Sequence, residues 1–177
     1  MFEYVVRKGG LKESEARWFF QQLIVGVDYL HRMGVASRDI KLENVMLNKA
    51  GDVKLMDFGL AKAIHGSPDK SLVITGTPLY MSPEQITGAE VDGRADIYST
   101  GVMLFRLLSG RWPYYEGNIL ENHRSAPIPD PTAVNPGLPI GFKRFINRCM
   151  AKKAEERFKR ATDVSKHLRM VFGSGRR

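Results

Sequence analysis

One segment past the middle of the chain constrains the fold more than any other. Residues 96–108 read DIYSTGVMLFRLL, which is apolar on almost every side of a helix, and a glycine follows at position 110. A helix without a polar face has to be enclosed by other elements, so this segment predicts a buried central helix. The rest of the chain must then supply amphipathic elements that surround it.

The remaining patterns predict a mainly α-helical protein with one small β-hairpin. Residues 14–33 place apolar side chains at every third or fourth position, which is typical of an amphipathic helix. Two apolar runs, VML at 45–47 and VKLM at 53–56, flank the turn-forming string NKAGD and predict the hairpin. Residues 60–83 lack a period and predict a long loop, which in compact domains is usually functional. We assign the rest to a proline-rich connection at 127–139, two amphipathic helices from residue 142 onward and a frayed basic end at 173–177.

Composition excludes several classes of protein. At 177 residues and 43% hydrophobic content, the chain is neither disordered nor fibrous, and it fits one domain or a piece of a larger one. Its single cysteine, Cys149, cannot form an internal disulfide, which favours a reducing compartment. No apolar run has the length of a membrane span, and the first residues do not resemble a signal peptide. An intracellular protein, cytoplasmic or nuclear, is therefore expected.

The net charge of +8 is concentrated near the C-terminus. Residues 143–177 contain 12 Lys and Arg but 3 Asp and Glu. A run of like charge is usually a solvated helix face, but it also suits an acidic protein partner, nucleic acid or anionic lipid. The sequence leaves these interpretations open.

Three short strings carry the chemical signal, in a fixed order along the chain. They are SRDIKLEN at 37–44, DFG at 57–59 and GTPLYMSPE at 76–84. The hairpin lies between the first two strings and should bring them together in space. We therefore expect the side chains of Asp39, Lys41, Asn44 and Asp57 to lie close to one another. Phosphoryl transfer needs such a set: oxygen ligands for Mg²⁺, a cation for phosphate charge and a carboxylate that accepts the proton of the attacking hydroxyl.

The three strings resemble the catalytic loop, the metal-binding triplet and the end of the activation segment of eukaryotic protein kinases. Lys41 and the string GTP at 76–78 resemble the Ser/Thr class. The region from Phe2 to Asn44 is similar to the AMP-activated and sucrose-non-fermenting-related kinases, particularly the plant stress-responsive branch. This resemblance covers residues 1–172, as a C-terminal lobe that belongs to an α+β fold when the full domain is present.

The resemblance implies roles for the residues that match it. Asp39 would be the catalytic base, Lys41 would steady the γ-phosphate of ATP, and Thr77 would bridge these two. Asn44 and Asp57 would hold Mg²⁺, and with Lys41 they would bind the nucleotide.

Other matching residues concern regulation, substrate choice and structure. Arg38 would pair with a phosphorylated activation segment, and Ser71 or Thr75 would receive that phosphate from an upstream kinase. Glu43 would favour basic residues near the Ser or Thr of a protein substrate. The structural matches are Phe58 of the DFG triplet, the buried ion pair between Glu84 and Arg157, and Asp96, which would brace the catalytic loop.

Two departures from the family leave an alternative open. The chain begins at what resembles the helix after the inter-lobe hinge, without the glycine-rich strands and lysine of an N-terminal lobe, so the chain alone is expected to transfer little phosphate. Ser37 stands where the family usually has His, which would leave a gap beside Phe58. The alternative is a truncated, pseudokinase-like module that binds a partner without catalysis.

Overall fold

The computed structural model describes residues 1–57, 62–63 and 78–172, and of residues 62, 63, 171 and 172 it describes the backbone alone. The described part is mostly helical with two small antiparallel sheets, so the predicted combination of helices and a hairpin is confirmed. The helices are α1 (Phe2–Lys8), α2 (Glu13–Arg32), α3 (Pro83–Thr87), α4 (Gly93–Ser109), α5 (Ile119–Ser125), α6 (Pro131–Val134), α7 (Ile140–Cys149) and α8 (Ala161–Phe172); the strands are β1 (Val35–Ala36), β2 (Val45–Leu47), β3 (Val53–Leu55) and β4 (Lys62–Ala63).

Helix α4 is the buried central helix that the sequence predicts. Thirteen of its residues are buried, and eleven of them form an unbroken run from Ala95 to Phe105. It begins three residues before the predicted start because the Asp92 side chain accepts a hydrogen bond from Arg94 N, which caps its first turn. Helices α2 and α7 both pack against it, and α8 packs against α2.

The hairpin has one packed and one open face. Strands β2 and β3 pair with Val45 opposite Leu55 and Leu47 opposite Val53. Leu55 packs against α2 so closely that a Cβ atom at Gly26 would lie 3.1 Å from its Cδ1. Because alternate residues of a strand point to opposite faces, Met46 and Lys54 project away from α2 and are exposed.

Several local elements were not predicted from the sequence. The predicted loop at 60–83 ends early, since a 3₁₀ turn covers Pro78–Tyr80 and α3 begins at Pro83. A capping box between Ser82 and Gln85, followed by a proline at the first helical position, sets that start. Helices α5 and α6 begin at the caps Asn118 and Asp130, whose side chains accept hydrogen bonds from Glu121 N and Thr132 N. Most of the predicted loop and the predicted frayed end lie outside the described residues.

A buried polar cluster attaches α5 to the rest of the domain. The Tyr98 hydroxyl is hydrogen-bonded to Nδ1 of His123 at 2.9 Å. Lys152 Nζ donates to the carbonyl oxygen of His123 at 2.8 Å and to the Tyr114 hydroxyl at 3.0 Å. Burial, together with the nearby Lys152 ammonium, lowers the pKa of His123 from 6.5 to about 4. His123 is therefore neutral in the folded protein at neutral pH.

This cluster predicts acid sensitivity with a definite sign. The unfolded chain protonates His123 near pH 6.5 and the folded chain near pH 4, so the unfolded state binds more protons between these values. The free energy of unfolding should be unaffected by this group above pH 6.5, fall as the pH drops towards 4, and lose about 3 kcal/mol in total. Urea titrations at pH 7 and pH 4.5 should show a smaller loss in His123→Gln than in the wild type, and equal losses would contradict the prediction.

Two glycines join the ends of α1 and α4. Leu11 N donates to Leu107 O at 2.8 Å, and a Cβ atom at Gly110 would lie 2.0 Å from the carbonyl oxygen of Gly9. Gly110 also has a φ of +70°, a left-handed conformation that L residues avoid. Close approach and backbone conformation therefore both require glycine at this position.

Gly117 provides a matched control, because its φ is +67° but no atom lies within 4 Å of a built Cβ. Gly117→Ala should reduce the free energy of unfolding by about 1 kcal/mol, the cost of the left-handed conformation. Gly110→Ala should cost at least about 2 kcal/mol more, since the α1 backbone must also move. Urea unfolding of both variants tests this, and similar losses would show that the contact between the two helix ends is loose.

Candidate active site

A buried carboxylate holds the backbone at the start of the first string. Asp96, in the first turn of α4, is 1% exposed and accepts hydrogen bonds from Ser37 N at 2.9 Å and Arg38 N at 2.8 Å. Its Oδ2 also lies 2.8 Å from His31 Nε2, at the end of α2. Arg38 has a φ of +62°, which costs free energy in a residue other than glycine. The two N–H bonds to Asp96 hold the chain in this strained turn.

The segment with the third string holds the same loop from its other side. Gln85 Nε2 donates to Arg38 O at 2.9 Å. The Tyr80 hydroxyl accepts from Leu42 N at 3.1 Å and donates to Glu43 Oε2 at 3.2 Å. The loop that carries Asp39 is therefore fixed between α4 on one side and residues 80–85 on the other.

Three of the predicted site residues meet in this loop. Lys41 Nζ lies 2.7 Å from Asp39 Oδ2, and Asn44 Nδ2 donates to the same oxygen at 2.9 Å. Asn44 Nδ2 also donates to the backbone oxygen of Asp39 at 3.1 Å. The Lys41 and Asp39 side chains are 18% and 14% exposed, so the pair is shielded but open to solvent at one edge.

The fourth predicted residue, Asp57, lies at the end of the hairpin beside these three. Met56 N donates to Asn44 O at 2.8 Å, which brings the residue before Asp57 onto the loop. Asp57 is exposed and has a φ of +56°, a second strained position at the site. The open hairpin face adjoins it, with Met46 and Met56 about half exposed at 53% and 48%.

A second buried ion pair stabilises the start of α3. Arg157 donates to Glu84 through two parallel hydrogen bonds of 2.6 and 2.8 Å, and its side chain is 0% exposed. Its remaining N–H groups donate to the backbone oxygens of Arg94, Ala151 and Lys152. All five guanidinium donors are thus used, which is the condition under which a buried ion pair is tolerated.

The remaining predicted residues are placed as follows. Arg38 directs its Nη2 to Val91 O at 2.9 Å, and its Nε has no hydrogen-bond partner among the described residues. Ser37 is 3% exposed. Four predicted residues lie outside the described part of the chain, namely Phe58, Ser71, Thr75 and Thr77. The gap that we expect between Ser37 and Phe58 involves one of these residues, so it stays a prediction.

Sequence reasoning missed three residues that shape the site, namely His31, Tyr80 and Gln85. Tyr80 belongs to the third string, four residues before Glu84, but the sequence does not reveal that its hydroxyl contacts the loop. His31 ends the apolar stripe of α2, and a polar residue at a helix end usually needs no partner. These contacts join residues 37 to 65 positions apart, which no local pattern reveals.

Comparison with known proteins agrees with this arrangement. The family model of the protein kinase domain matches residues 1–169. The chain therefore belongs to the protein kinase domain family, and the resemblance drawn from the three strings is confirmed.

Curated relatives include kinases of the kinds that the sequence suggested. The chain is 35% identical over 94% of its length to "Probable serine/threonine-protein kinase PknB" of Bifidobacterium longum, covering 25% of that protein. It is 40% identical over 87% of its length to CBL-interacting serine/threonine-protein kinase 20 of Arabidopsis thaliana, covering 36% of it. It is 44% identical over 67% of its length to SNF1-related protein kinase catalytic subunit alpha KIN12 of the same plant, covering 24%. The chain thus spans between about a quarter and a third of these relatives.

Two further features of the described residues bear on the site. No helix among them combines the length and hydropathy needed to cross a membrane. Nor do three or more His, Cys, Asp or Glu side chains within that part of the chain form a group suited to a metal.

Asp96→Asn should destabilise the domain because the amide replaces a carboxylate that accepts three hydrogen bonds in a buried position. We expect a loss of about 2–4 kcal/mol in the free energy of unfolding, measured by urea titration. Asp92→Asn is the matched control on the same helix, since asparagine also caps well, and it should cost less than about 1 kcal/mol. Comparable losses in the two variants would mean that the loop is held mainly by other contacts.

Proposed function

We propose that residues 1–172 are the C-terminal lobe of a Ser/Thr protein kinase domain, which in its complete form transfers the γ-phosphate of ATP to Ser or Thr of a protein substrate. The observation that carries this proposal is the convergence of Lys41 and Asn44 on one oxygen of Asp39. Residues 173–177 would be a basic extension of this lobe. Nothing in the comparisons favours the alternative of a non-catalytic binding module.

The hydrogen bonds of the Asp39 carboxylate suit this residue for the role of general base. Its Oδ2 is engaged by Lys41 and Asn44, whereas its Oδ1 makes no hydrogen bond within the described part of the chain. The free oxygen can accept a hydrogen bond from the attacking hydroxyl, and the engaged one fixes the orientation of the carboxylate. Holding the reacting groups in place is the larger part of catalysis in phosphoryl transfer.

The site also fits Mg²⁺. The NH₂ group of Asn44 donates both of its hydrogen bonds to Asp39. The side-chain carbonyl oxygen of Asn44 has no partner among the described residues. Asn44 and Asp57 would hold the metal through hard oxygen donors, which Mg²⁺ prefers. When bound, Mg²⁺ would neutralise charge on the phosphates of ATP.

The substrate ATP would lie across the same surface. Lys41 offers a cation beside Asp39 for the γ-phosphate, and Met46 and Met56 offer an adaptable apolar surface for the base. The exposed Glu43 would attract basic residues of the protein substrate, supported by its position two residues past Lys41.

Regulation by phosphorylation belongs to the same proposal. The unpaired Nε of Arg38 is a donor that a phosphate on the activation segment could use, with Ser71 or Thr75 as the acceptor for an upstream kinase. An acidic partner for the basic residues at 143–177 has less support, since Lys143 and Arg157 already pair with Asp130 and Glu84.

The decisive test is phosphate transfer by the protein purified from its own cells, so that its natural polypeptide is assayed with ATP, Mg²⁺ and a Ser-containing peptide. The wild type should phosphorylate the peptide, and Asp39→Asn should reduce the rate by roughly 10²–10⁴-fold because the proton acceptor is lost.

Asp52→Asn is the matched control, because Asp52 is an exposed residue of the hairpin turn that is bonded to Asn48. It should leave the rate unchanged. Transfer that persists in Asp39→Asn, or its absence from the wild-type protein, would reject the proposed function.

A further inference from the structure

Arg106 is a partly buried cation that has no counter-ion among the residues that the structure describes. It lies in the last turn of α4, where its Nη1 donates to Gly110 O and its guanidinium carbon lies 5.1 Å from the centre of the Trp112 ring. Its Nε is buried, and neither Nε nor Nη2 makes a hydrogen bond to the described residues. No carboxylate in that part of the chain forms an ion pair with it.

The position of Arg106 relates it to the catalytic loop. The Trp112 ring stands edge-on against Tyr80, with ring centres 4.9 Å apart. The Tyr80 hydroxyl in turn bonds to Leu42 N and to Glu43, immediately after Lys41. Two aromatic residues, Trp112 and Tyr80, therefore connect Arg106 to the loop that holds Asp39 through successive contacts.

A structural role accounts for part of this arrangement. A basic side chain in the last turn of a helix interacts favourably with the terminal carbonyl groups, and Nη1 of Arg106 does so. That role leaves the edge formed by Nε and Nη2 unused, and this edge matches the two oxygens of a carboxylate. Burial lowers the pKa of Arg106, because desolvation disfavours the charged guanidinium.

We propose that Arg106 receives an acidic side chain, Asp or Glu, of the protein substrate and biases the kinase towards peptides with an acid near the acceptor Ser or Thr. The inference rests on the proposed function, because it takes the surface beside residues 39–44 as the peptide site. Glu43, which accepts a hydrogen bond from the Tyr80 hydroxyl, carries the opposite charge. The proposed peptide site would therefore offer an anion and a cation to different parts of one peptide. Substrate choice would depend on the order of charges along the peptide.

The test is a binding measurement, which needs no phosphate transfer. Fluorescent Ser-containing peptides carry a single Asp, Asn or Lys that is moved stepwise along positions on both sides of the Ser, and anisotropy gives their affinity for the purified chain. At one or two positions the wild type should bind the Asp peptide roughly three- to tenfold more tightly than the Asn peptide and more tightly still than the Lys peptide.

Variants separate the charge contact from a structural effect. Arg106→Gln should abolish the preference for Asp over Asn. Arg106→Lys should retain part of this preference, because lysine has the positive charge but lacks the planar pair of N–H donors of the guanidinium. Arg169→Gln removes the same charge from an exposed residue of α8 and should leave the preference unchanged. Urea unfolding of each variant checks that the domain is folded.

The outcomes distinguish the two proposals. Equal binding of the three peptides by the wild type, or undetectable binding of all of them, would overturn the role of Arg106, as would a preference that survives in Arg106→Gln. A charge preference in a protein that transfers no phosphate would support the anion site and reject the proposed function. Phosphate transfer without a charge preference would reject the role of Arg106 alone.

Discussion

The site depends on the hydrogen bonds that the buried Asp96 carboxylate accepts. This carboxylate connects three parts of the chain, since it accepts hydrogen bonds from the loop at Ser37 and Arg38 and contacts His31 at the end of α2. A carboxylate can occupy this buried position because these donors, and the first turn of α4, compensate its charge. Without it, the left-handed turn at Arg38 would lose its support, and Asp39 would lose its fixed direction.

Three other charged side chains that are largely or partly shielded from solvent differ in how many of their hydrogen-bond donors have partners. Arg157 uses all five donors on Glu84 and on backbone oxygens, and Lys152 donates to the Tyr114 hydroxyl and to carbonyl groups of α5. Both are enclosed in the domain with their bonds satisfied, so their effect is structural. Arg106 differs because one edge of its guanidinium has no partner within the described residues.

Local patterns predicted the long elements well and the short ones poorly. The central helix and the hairpin follow from apolar runs and α2 from a helical period, and the structure places all three within three residues of the predicted limits. Helices α5 and α6 have at most seven residues, so their apolar period is too short to detect, and side-chain caps such as Asp130 determine where they begin. Likewise, the strand pair β1 and β4 joins residues far apart in sequence.

The sequence by itself determined the candidate site and its proposed chemistry, because the types and order of Asp39, Lys41, Asn44 and Asp57 are properties of the chain that need no coordinates. Only the tertiary structure decided which atoms are engaged and which are free. The shared Oδ2 of Asp39, the support from Tyr80 and the unpaired edge of Arg106 all arise from contacts between segments distant in sequence. Such contacts depend on how α4 packs against its neighbours, and packing is a property of the whole core.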